Sequence, residues 1–65
     1  MGKYEKAGRE AFEEGELYLG GSTEMNILSL KVLDLITEEI EGLPVKSVIE
    51  VLDNAKDALL SLLGA

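Results

Sequence analysis

Four carboxylates crowd the middle of this chain: Asp34, Glu38, Glu39 and Glu41. If the segment is helical, Asp34, Glu38 and Glu41 lie three and four residues apart on one strip, with Glu39 beside it. Carboxylates in that arrangement can receive Arg or Lys side chains from a partner protein, or bind a divalent cation weakly. The cation chemistry is poorly served. Calcium takes six to eight oxygens, commonly from a loop with a turn glycine, and no such spacing occurs. The chain has no Cys and no His. That removes thiolate and imidazole sites, including the Glu-x-x-His pairs of di-iron bundles. No metal and no other cofactor is expected.

The strip also sits at the wrong end of its helix for stability. The helix dipole favours cations at a C-terminus, and like charges four apart repel mildly. Asp34, Glu38, Glu39 and Glu41 therefore read as a docking patch for a basic protein. The same pattern also suits a plain solvated face.

Catalytic constellations are thin. Ser22, Ser29, Ser47 and Ser61 have no His to activate them. Glu13, Glu14 and Glu16 offer paired carboxylates, but so small a chain can hardly enclose a sugar between them. Gly20-Gly21-Ser22-Thr23 lacks the Lys of a phosphate-binding loop, and Glu24 repels an anion there. The Asp-Ser-Leu context of a carrier protein's modified serine is missing, since Ser29-Leu30 follows Leu28. No enzymatic activity is expected.

Charge narrows the partners. Thirteen Asp and Glu against six Lys and Arg leave a net charge of −7. That opposes contact with nucleic-acid phosphates and with anionic membrane surfaces. Within 22–42, Lys31 alone answers five acids. The reading is an acidic interaction or adaptor module. The alternative is an acidic DNA mimic that inhibits a nucleic-acid-binding protein, which wants carboxylates spread along one surface. The concentration within 22–42 suits a docking patch better.

The elements that must carry these residues are helical. Two punctuation marks, Gly20-Gly21-Ser22-Thr23 and Gly42-Leu43-Pro44, separate three periodic segments. In the first, over 3–19, Tyr4, Gly8, Ala11, Phe12, Gly15, Tyr18 and Leu19 share a helical face. Its internal glycines mark close approach by another backbone. In the second, over 24–41, Met25, Leu28, Val32, Leu35 and Ile36 form the main apolar stripe. Ile27, Leu30, Leu33 and Ile40 broaden it, which predicts burial on more than one side. Ser22 or Thr23 supplies the N-cap and Gly42 a left-handed C-cap. In the third, over 44–63, Val45, Val48, Leu52, Ala55, Leu59 and Leu62 recur at 3-4-3-4-3, the seam of a coiled coil or bundle.

The 65 residues amount to one domain, 1–65. An apolar fraction of 46% is too high for a disordered tail. A domain this small is marginal alone and usually needs disulfides, a metal or oligomerisation. With neither cysteine nor histidine, oligomerisation is left.

The expected fold is all-α. The short link predicts that the second and third helices form an antiparallel hairpin, with the first packed across it. A second copy completes a dimeric helical bundle through Val45, Val48, Leu52, Leu59 and Leu62. The expected partners are a second copy of the chain and a basic protein, with neither nucleic acid nor membrane. With no targeting segment and no long apolar run in the sequence, the expected location is the cytoplasm.

Overall fold

The computed structural model describes residues 1–64. Among them are three helices and no strand: α1 (Lys3–Glu13), α2 (Thr23–Glu39) and α3 (Val45–Leu62). The fold is all-α.

Helix α1 is shorter than its apolar spacing predicts. Gly15 adopts φ +70°, which a residue with a Cβ resists. Its N–H donates to the Phe12 carbonyl, and the Glu16 N–H donates to the Ala11 carbonyl at 2.8 Å. This pair of bonds is the Schellman motif, which satisfies the last carbonyls and turns the chain away. Tyr18 and Leu19 therefore lie in the connecting loop, although they continue the stripe in phase.

Helix α2 begins as its sequence predicts. Ser22 is the N-cap, and its hydroxyl accepts the Met25 N–H at 3.2 Å. Its end differs. The helix stops at Glu39, with Ile40 extended at φ −128° and ψ 102°. Gly42, at φ +76°, belongs instead to a turn closed by the Leu43 N–H donating to the Ile40 carbonyl. Pro44 then caps α3 from outside its first turn.

The tight helix pair is α1 with α2, not α2 with α3. The Tyr4 and Glu5 backbone meets Asp34, Gly8 meets Leu30, and Phe12 shares a cleft with Ile27. As the α1 number rises the α2 number falls, so the pair is antiparallel. The face of α2 so covered carries Leu30 and Asp34, both buried. Only the start of α3 is held, where Val48 is 8% exposed. From Ile49 to Gly64 every residue is exposed. The expected α2–α3 hairpin is thus open. The short link brings the two helices side by side at one end without making their apolar faces meet.

The result is an extended body of 38 × 29 × 19 Å with a radius of gyration of 13.1 Å. A compact domain of this length has a radius near 11 Å.

Candidate functional site

The acidic strip is divided by the fold. Asp34 is buried at 8% exposure, and both its carboxylate oxygens are engaged. Oδ1 accepts the Tyr4 N–H at 2.6 Å and Oδ2 accepts the Glu5 N–H at 3.0 Å. Gly2, the N-cap of α1, has no side chain to take these free donors. Asp34 supplies the missing cap from a neighbouring helix and brings a negative charge to the positive end of the α1 dipole. Asp34 is a structural residue, closed to a partner, and does not belong to the docking strip. A first turn with glycine at its cap position, which leaves its donors to water or to another element, was the available signal.

Glu38, Glu39 and Glu41 remain on the surface. Glu38 and Glu39 end α2, and Glu41 lies in the turn beyond it. Among the described residues the ion pairs are Arg9–Glu5 and Lys56–Asp53, so these three carboxylates have no cation beside them. No group of three or more possible ligands among the described residues is arranged to hold a metal ion. No helix among them is long and apolar enough to cross a membrane.

The second candidate surface is apolar. Of the expected interface residues, Val45, Leu52, Leu59 and Leu62 are exposed on α3, Leu62 to 79%. Val48 is not. It is buried within its own chain where α3 starts, so it leaves the interface set.

The outer face of α2 was missed. Of Met25, Leu28, Val32, Leu35 and Ile36, which read from spacing as the main stripe, Ile36 is half-buried but the other four are exposed, with Leu28 at 54% and Leu35 at 60%. The core stripe is instead Ile27, Leu30, Asp34 and Thr37, on the side toward α1. A helix apolar around most of its circumference does not state which arc is inward, and a buried Asp in the true core arc made that arc look polar.

Two concavities flank α2. One is an open cleft of about 470 Å³ between the end of α1, the 14–22 loop and the start of α2, walled by Phe12, Leu17, Tyr18 and Ile27. The other is a groove of about 620 Å³ between α2 and α3, lined by Leu19, Leu30, Val32, Leu33 and Leu52. Its two polar lining side chains each make one bond within the chain. Ser29 donates its hydroxyl to the Met25 carbonyl at 2.9 Å, and Asn26 donates to the Leu19 carbonyl at 3.4 Å. The groove lining is mostly apolar and lacks any ionisable side chain.

No protein-family model matches the chain, and no curated protein or solved structure shows significant similarity to it.

Proposed function

We propose that this protein is an acidic interaction module that works as a homodimer. The observation that supports this reading is the exposed apolar surface of α3 and of the outer face of α2. The chain presents 5323 Å² to solvent, where a folded monomer of its mass presents about 4,000 Å². The excess exceeds the roughly 800 Å² that each partner buries in a standard interface. Apolar side chains dominate it: Met25, Leu28, Leu35, Val45, Ile49, Leu59 and Leu62 are all more than half exposed.

In this reading the dimer presents Glu38, Glu39 and Glu41 to a basic partner. Three unpaired carboxylates at the dipole-negative end of α2 attract Arg or Lys more strongly than any paired acid on the chain. A DNA mimic is less well served, because burial of Asp34 shortens the row of surface carboxylates.

Sedimentation equilibrium at micromolar to 100 micromolar concentration tests the first part, and twice the chain mass is expected. A monomer throughout that range would defeat the reading. For the second part, the Glu38→Lys, Glu39→Lys, Glu41→Lys variant is expected to lose the basic proteins retained by the parent dimer in a pull-down. Unchanged retention makes these carboxylates a solvent face.

A further inference from the structure

We infer that the α2–α3 groove is where the second copy docks, with the two-fold axis at its mouth. Val32 and Leu52 would then meet their counterparts in the second copy. This inference rests on the homodimer reading and adds the location and symmetry of the contact.

Three features carry it. The first is shape. An isologous contact sets one patch against its own copy. Val32 from α2 and Leu52 from α3 both line the groove of about 620 Å³, each a little over one-third exposed. A two-fold axis across the mouth sets each of them against its counterpart.

The second is charge. Two chains of net charge −7 repel wherever acidic faces meet. The groove lining has no ionisable residue, so approach there avoids a direct like-charge contact. A basic partner would be drawn to Glu38, Glu39 and Glu41 instead. The third is area. The groove lies between α2, where Met25, Leu28 and Leu35 are exposed, and the exposed length of α3, and the chain's excess surface is larger than one partner buries in a standard interface. The Ser29 hydroxyl and one Asn26 N–H already have acceptors within the chain, which lowers the cost of covering them.

The absence of cysteine makes the test clean. Val32→Cys, Leu52→Cys and, as a control on the exposed face of α1, Glu10→Cys are treated with a short bis-maleimide at micromolar concentration. The Val32 and Leu52 variants are expected to give covalent dimers on a denaturing gel, and Glu10→Cys is not. Val32→Lys is expected to weaken the dimer about a hundredfold or more, because the interface would bury an unpaired charge. Its helical content by circular dichroism should be unchanged.

If the parent sediments as a dimer but neither groove variant links, or Glu10→Cys links as readily, the groove assignment is overturned while the homodimer reading stands. Val32→Lys that dimerises with parental affinity overturns it too. A parent chain that sediments as a monomer overturns both.

Discussion

The carboxylate of Asp34 fills the space that a side chain at Gly2 would need. A Cβ built on Gly2 would fall against the Asp34 carboxyl group, within 2.7 Å of Oδ1. Glycine is required there by proximity alone, because its φ of −75° and ψ of 170° suit any residue. The pair fastens the start of α1 to α2, and the body that carries Glu38 and Glu39 depends on it.

Removing this clasp should be costly. Asp34→Ala strands two backbone donors and removes a charged cap, for a loss of about 2 kcal/mol. Asp34→Asn keeps a neutral acceptor and should lose less. Gly2→Ala should also destabilise, and adding it to Asp34→Ala should cost little more, because both break one contact. Urea unfolding followed by circular dichroism measures all four. Additive losses would mean that Gly2 and Asp34 act separately.

Gly8 should resist the usual gain from helix propensity. Alanine in place of glycine inside a helix stabilises by about 1 kcal/mol when nothing intervenes. Here the added methyl would meet Leu30, with Cδ2 at 2.7 Å and Cγ at 3.1 Å. Leu30 is buried and has little room to move. Gly8→Ala is expected to cost about 1–3 kcal/mol in the parent. In a Leu30→Ala background it should stabilise instead. A gain in the parent would show that α1 and α2 can move apart freely.

Arg9 protects an otherwise solitary buried acid. Its Nε and one terminal nitrogen both lie 2.9 Å from Glu5 Oε2. The Glu5 side chain is only 10% exposed, while that of Arg9 is 41% exposed. Solvent screening at Arg9 limits the value of the pair. Arg9→Met should therefore cost only about 1 kcal/mol, chiefly by leaving the Glu5 carboxylate without its partner. Glu5→Gln should recover part of that loss in the same background. Thermal melts of the two variants decide it, and no recovery would place the cost in lost packing.

Gly15 is expected to be the strictest stop in the chain. Gly15→Ala forces a Cβ into a left-handed conformation, at about 1 kcal/mol. Amide hydrogen exchange should show faster opening at Gly15 and Glu16, whose N–H groups make the two closing bonds. Unchanged protection there would mean that the loop, rather than the glycine, ends α1.

Local chemistry made much of this molecule legible from its sequence. Three helices follow from apolar spacing, and the Ser22 cap from its hydroxyl beside a free first turn. The same reasoning erred where two signals competed. Tyr18 and Leu19 continue the α1 stripe, but the Gly15 turn won because a Schellman closure satisfies carbonyls that continued spacing does not. At Asp34 an acidic residue in a polar row read as surface, because linear spacing cannot show a donor pair arriving from thirty residues away.

By itself, then, the sequence determined helix type, approximate boundaries and the surplus of apolar side chains over a small chain's capacity to cover them. Those are properties of neighbours three and four residues apart. Only the tertiary structure decided which arc of α2 is inward, that Asp34 serves α1 rather than a partner, that Val48 is internal, and that α3 stands open. An apolar stripe is equally content against any apolar surface. The choice falls to specific long-range fits, here the Asp34 cap and the Gly8 notch, which hold α1 to one side of α2 and leave the other side free.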